Sequence, residues 1–217
     1  MKVLNLYAGI GGNRKLWDDC EVTAVESNSK ILDIYLDHFP TDNIHYGDAH
    51  KYLLENYDNF DFIWSSPPRQ SHSSFRQNIC VRYRGTKPVY PDMSLYQEII
   101  FLTHFFKGKF IIENVNPYYK PLIDITLELG RHFIWANFLI HKIEVAKNTI
   151  HRFAPLKSGE RIDNCKDGHF GIYIDKYKVS NKEKIRRNAV DPAIGLHIIN
   201  RALEIQTQSD ISQPKLF

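Results

Sequence analysis

The chain has 217 residues, 43% hydrophobic and 24% charged, a composition that fits one globular domain with at most a small annex. Cys20, Cys80 and Cys165 stand far apart with no CxxC among them, which excludes a disulfide scaffold and reads as reduced thiols. The net charge is only +3, but residues 69–91 carry five basic residues and no acid, and residues 141–187 carry twelve basic residues against six acids.

Two basic segments on an acidic body suggest a face for a polyanion, although solvated loops and helix faces would give the same pattern. No stretch is long enough to span a membrane, and the apolar run in the opening "MKVLNLYAGIGG" is too short for a signal peptide. A cytoplasmic protein is therefore expected.

In chain order, "KVLNLY" (2–7) predicts a strand, followed by the glycine turn "AGIGG" and a helix from about Asn13. "EVTAVE" (21–26) predicts a second strand, with a helix over 28–39 that must stop before Pro40. A weak strand near Ile44 leads to "GDAH" and a helical "KYLLENY". "FDFIW" (60–64) and "KFIIEN" (109–114) read as buried strands flanking a helix over about 92–106. A further helix is expected over about 119–129, late strands in "HFIWANFLIHKI", and a hairpin then a basic helix in "GHFGIYIDKYKVSNKEKIRR". The alternation predicts an α/β fold with a parallel or mixed sheet covered on both faces, and such sheets bind ligands at the carboxyl ends of their strands.

The chemistry-bearing residues fall at those ends. Gly9, Gly11 and Gly12 permit a tight turn and close approach to a ligand, or simply tight helix packing. Glu26 ends the second strand, where an acid can accept both ribose hydroxyls of a nucleoside cofactor, or merely face water. Asp48 ends the third and could accept from an adenine amino group. Strand four runs into "SSPPRQ", stiffened by two prolines, and strand five into "ENVNPYY", where Glu113 could pair with a nucleobase edge or stand as a polar terminus.

Together these pieces resemble the cytosine-C5 DNA methyltransferase family across most of the chain. "LYAGIGG" resembles its cofactor motif, "AVES" its ribose acid, "GDAH" its adenine contact, "SSPPRQSHS" its nucleophile loop and "ENV" its base-binding strand. "NTIHRF" (148–153) resembles the arginine motif that steadies the flipped base, and "RNAVDPAIG" (187–195) the late motif that completes the cofactor pocket. The resemblance implies a Rossmann-like fold with a mixed seven-stranded sheet and a very small target-recognition insert. It implies S-adenosylmethionine as cofactor and methylation of cytosine C5 in double-stranded DNA.

By position, the resemblance implies that Tyr7, Ala8, Gly9, Gly11 and Gly12 cradle the methionine end of the cofactor. Glu26 would hold the ribose, Asp48 the adenine, Pro67 a further part of the cofactor, and Asn188, Ala189 and Val190 the closed side of the pocket. Glu113 would bind cytosine and help protonate N3, and Arg152 would hold the base carbonyl. In this family a cysteine thiolate adds to C6 so that C5 becomes nucleophilic. The expected motif is PPCQ; this chain reads PPRQ, so Arg69 stands at the nucleophile position. Arginine donates only and cannot serve as nucleophile or base. Cys80 lies eleven residues downstream in the basic loop, too far to substitute. The amino-methyltransferase motif would need an aromatic residue after the prolines, which "SPPR" lacks. An inactive or impaired enzyme is expected.

The loop at 69–91 would close over DNA, with Gln70, Arg76, Arg82, Arg84 and Lys87 as contacts. Residues 1–150 and 187–207 would form the catalytic and cofactor-binding domain, 151–186 a small target-recognition region and 208–217 a tail. The terminal "QPKLF" resembles a pentapeptide that docks on bacterial sliding clamps through Gln213, Leu216 and Phe217, or is a plain disordered tail. A monomer without metal is expected. Two other readings share these motifs: an RNA cytosine-C5 methyltransferase, and a non-catalytic regulator that binds DNA and S-adenosylmethionine.

Overall fold

The computed structural model describes residues 1–130, 132–143 and 170–203. Seven strands form one mixed sheet: β1 (Lys2–Leu6), β2 (Glu21–Glu26), β3 (Asn43–Tyr46), β4 (Phe62–Ser65), β5 (Lys109–Val115), β6 (Leu127–Leu129) and β7 (His132–Ala136). Their order is β3-β2-β1-β4-β5-β7-β6. The first five pair in parallel, while β7 runs antiparallel to both β5 and β6. The α/β class and the mixed seven-stranded sheet expected from the sequence are those observed.

The central strands are apolar on both faces because both faces are covered. Val3, Phe62, Trp64 and Ile111 point to one side and join α6 (Pro192–Ala202) through Ile194, Ile198 and Ile199. Leu4, Leu6, Ile63 and Ile112 point to the other, against α2 (Ala49–Asn56) and α4 (Ser94–Phe105). Side chains alternate across a strand, so one run of sequence supplies two cores. The helix α1 (Ser29–His38) packs through Tyr35 on Ala24 and is capped by the Asn28 side chain, which accepts from the Lys30 N–H. At the edge, β3 is exposed throughout and correspondingly short.

The chain runs from β1 outward through β2 to β3, then crosses back to lay β4 on the other side of β1. A crevice therefore opens beyond the carboxyl ends of β1 and β4, where the strand order reverses.

Four expectations need correction. From Asn13 the chain forms only a 3-10 turn, Asn13–Leu16. Trp17 turns extended to bury itself against Trp64, and α6 lies so close that a Cβ on Gly195 would sit 2.1 Å from the Asn13 carbonyl. There is no room for a longer helix. No helix forms over 119–129; this segment is irregular and ends as β6. "IDITLEL" alternates apolar and polar residues, and Pro121 interrupts any helical start, so period two prevails. The segment is pinned by the Trp135 indole, which donates to Ile123 O, and by Thr126 N–H, which donates to Ile134 O.

The late strands stop at Ala136, beyond which 137–143 are irregular. Residues 170–181 run as turns with a single bridge residue, Ile172, rather than as extended hairpin strands. There Ile172 and Ile174 bury themselves against Ile10 and Ile34, and Lys176 and Tyr177 reach Asp37 on α1. The segment is thus docked on α1. The basic helix does form, as α5 (Lys182–Asn188), capped by Asn181.

Candidate active site

The glycine turn begins at Tyr7, whose φ of +55° swings the chain out of β1. Gly9 N–H then donates to one oxygen of Glu26 at 3.1 Å, and Asn28 N–H donates to the other at 2.9 Å. Each carboxylate oxygen keeps capacity to accept a further hydrogen bond, and Glu26 lines the crevice. Gly12 is needed for close approach: a Cβ there would lie 2.4 Å from the Val190 carbonyl. The late motif therefore presses directly on the turn. Gly11 faces elsewhere, against Tyr35 of α1 and Phe39 just beyond it, and does not border the cavity.

These elements enclose a cavity of about 640 Å³, within the range of small-molecule sites. Its walls include Tyr7, Ala8, Gly9, Gly12 and Glu26 on one side. Pro67, Arg69 and Gln70 face them, and Asn188, Ala189 and Val190 close a third side. Ser180, Asn181 and Lys184, at the start of α5, also reach it, which the sequence reading did not anticipate. Asp48 is outside: exposed, its side chain caps α2 by accepting from Lys51 N–H at 2.8 Å.

The loop after β4 is tied to the end of β5. Asn114 Nδ2 donates to Pro67 O at 3.1 Å, Ser74 Oγ donates to Asn116 O at 2.8 Å, and Tyr118 N–H donates to His72 O. The Arg69 carbonyl accepts from both His72 and Ser73 N–H, so the chain turns back immediately after position 69. The guanidinium crosses the crevice and donates to Asn188 O at 2.7 Å. His72 is buried against Tyr119, its Nδ1 hydrogen-bonded to the tyrosine hydroxyl, and burial lowers its basicity.

Glu113 is 3% exposed on β5 and hydrogen-bonded to His132 Nδ1. Burial alone would raise its pKa. His132 beside it, then Arg69 and a hydrogen bond from Ser66, outweigh that and hold it at about 2. The carboxyl is therefore an anion at neutral pH. His132 escaped the sequence reading because nothing local marks it. Only the register, with Val115 opposite His132 and Glu113 opposite Ile134, brings it to the same face.

Arg76 lies in a π-helical turn, Arg76–Val81, which runs into α3 (Arg82–Arg84) and ends at Gly85 with φ +64°. Arg82, Arg84 and Lys87 are exposed, and with them Tyr83 and Tyr90, at 81% and 95%. None of these borders the cavity. Cys80 does not border it either, and Cys20 and Cys80 are free thiols. Arg152, Cys165, Gln213, Leu216 and Phe217 lie outside the described residues. Among the described residues no helix is long and apolar enough to cross a membrane.

A search of curated proteins finds no match. Among solved structures, a mutant of Spodoptera frugiperda DNMT2 is 25% identical over 52% of this chain and 35% of that one, with a TM-score of 0.38. The Entamoeba histolytica methyltransferase EhMeth is 17% identical over 53% and 38%, TM-score 0.35. TrmN from Thermus thermophilus is 16% identical over 62% and 43%, TM-score 0.36. The chain thus spans well under half the length of each. The model of one family, C-5 cytosine-specific DNA methylase, matches residues 1–121, from the glycine turn through the proline loop and the end of β5. That match covers more than half of the chain, and the chain belongs to the C-5 cytosine-specific DNA methylase family.

Proposed function

We propose that the chain has the architecture of a DNA cytosine-C5 methyltransferase whose catalytic step is disabled at Arg69. It would bind S-adenosylmethionine and DNA and transfer methyl groups poorly or not at all. One juxtaposition carries the reading: the proline loop, Glu113 and the Glu26 crevice meet at one end of the sheet, joined by Asn114 to Pro67 and by Arg69 to Asn188.

The cavity suits the cofactor in one testable respect. Both Glu26 oxygens are already oriented by backbone N–H groups and can still accept from a ribose. Tyr7, Ala8 and Gly9 would cradle the methionine end, with Gly12 holding Asn188, Ala189 and Val190 against it. Pro67 would border the same end. The cofactor supplies an electrophilic methyl group. Glu113, as an anion, would accept from the amino group of a flipped cytosine, and a proton for N3 would come through His132 rather than from a neutral Glu113. Arg152 would hold the base carbonyl.

What the chain lacks is an atom that can add to cytosine C6. The Arg69 guanidinium stays protonated and has no lone pair to offer. Its bond to Asn188 also favours a second reading, a non-catalytic protein that binds cofactor and DNA with the arginine as a strap across the crevice. Gln70, Arg76, Arg82, Arg84 and Lys87 would contact the nucleic acid, and residues 151–186 would form a small recognition region whose α5 end borders the cavity.

Arg69→Cys separates the readings. Transfer of labelled methyl to DNA C5 should rise from background to clear turnover in the variant; silence despite retained cofactor binding supports the non-catalytic reading. Running tRNA beside duplex DNA in the same assay tests the nucleic-acid class, with DNA expected to be methylated.

A further inference from the structure

Beneath the crevice lies a buried carboxylate that the mechanism does not use. Glu98, in the middle of α4, is 0% exposed. Its Oε1 accepts from the Tyr7 hydroxyl at 2.6 Å and is hydrogen-bonded to His50 Nδ1 at 3.0 Å; its Oε2 accepts from Ser65 Oγ at 2.6 Å. These partners come from three different elements. Tyr7 starts the glycine turn, Ser65 ends β4 immediately before the proline loop, and His50 stands in the first turn of α2.

Stability alone does not explain such a group. Burying a carboxylate is costly even when it is paired, and apolar residues of similar volume commonly serve a core as well. What the cluster does is hold geometry. Tyr7 sits at a positive φ that a bulky residue adopts only when its surroundings enforce it. That conformation aims Gly9 N–H at Glu26. Ser65, bonded to the other oxygen, fixes where the proline loop leaves the sheet.

We infer that Glu98 is a positioning residue that clamps the glycine turn and the proline loop in mutual register, and so sets affinity for the cofactor without touching it. The inference rests on the cofactor reading of the cavity. Tyr7 remains a donor in the clamp, because burial and the Glu98 carboxylate both raise its pKa. His50 is the proton-sensitive member. Its hydrogen bond to Glu98 raises its pKa against the opposing effect of burial, and Asp48 at the start of α2 and Asp92 ahead of α4 add to the rise. Tyr7, bonded to the same Glu98 oxygen as His50, stays neutral.

The test is the dissociation constant of S-adenosylmethionine, and of S-adenosylhomocysteine, measured by calorimetry on the chain with Arg69 in place. Tyr7→Phe removes one hydroxyl and little volume, and is expected to weaken binding about tenfold, the loss of one buried hydrogen bond to a charged acceptor. Glu98→Gln should weaken it at least as much. With His50→Gln, the decline in affinity as pH rises through the histidine's raised titration should disappear. A merely structural role would lower the melting temperature and leave the affinity of the folded protein within twofold of the parent. That result in Tyr7→Phe overturns the inference, even where Glu98→Gln fails to fold. No binding by the parent chain overturns the cofactor reading and this inference with it, whereas equal binding by parent and variants overturns the inference alone.

Discussion

Glu113 shows how one side chain's surroundings set its chemistry. A buried carboxyl would ordinarily resist ionisation, yet His132, Arg69 and Ser66 hold this one at about 2. Because the folded value lies below the ordinary 4.5, folding favours the ionised form. The resulting contribution to stability is complete above about pH 4.5 and is lost as pH falls toward 2. Glu113→Gln should therefore flatten the acid limb of a stability profile measured by urea denaturation between these values. An unchanged acid limb would mean that His132 does not hold the charge. Arg69 acts electrostatically on the same group, so Arg69→Cys also removes one cation that favours the ionised Glu113.

At the scale of the element, Asp48 serves a helix terminus and lies outside the walls of the candidate cofactor cavity. Its side chain caps α2, and an N-cap is worth about 1 kcal/mol. Asp48→Ala should lower stability by roughly that amount, while Asp48→Asn, an equally good cap, should not. If Asp48 also accepts from the adenine amino group, both substitutions weaken S-adenosylmethionine binding, since the asparagine loses charge and half its acceptors. Calorimetry beside thermal denaturation separates the two roles. Elements with strong local signals were legible in the sequence: β1, β2, β5, α1 and α4 fall within a few residues of expectation. Where tertiary packing opposed a weak local signal the expectation failed. The helix after the glycine turn yields to α6 crossing it at Gly195, and the segment before β7 takes the period-two pattern because Trp135 and Ile134 offer it a partner.

At the scale of the molecule, the basic residues that follow Arg69 in its loop stand apart from the cavity. The segment 69–91 carries Arg76, Arg82, Arg84 and Lys87 outside the cavity walls, with Tyr83 and Tyr90 exposed among them. A basic surface interleaved with aromatic rings suits nucleic acid, with phosphates on the cations and bases on the rings. Replacing Arg82 and Arg84 by Ala should weaken DNA binding across sequences and reduce the slope of log K against log salt by about 0.9 for each phosphate no longer neutralised. Fluorescence anisotropy at several salt concentrations measures this directly, and an unchanged slope would remove these residues from the interface.

The sequence by itself determined the α/β class, the family and the order of motifs, because glycine turns, proline loops and buried apolar strands are written in short contiguous stretches. It also exposed Arg69 as the residue at odds with its own loop. Only the tertiary structure decided which side chains meet. His132 on Glu113, Glu98 beneath Tyr7 and Ser65, Asn188 receiving Arg69, and the α5 segment at the cavity all depend on strand register and helix packing. Those pairings join residues from 19 to 119 positions apart, a separation that no local pattern encodes.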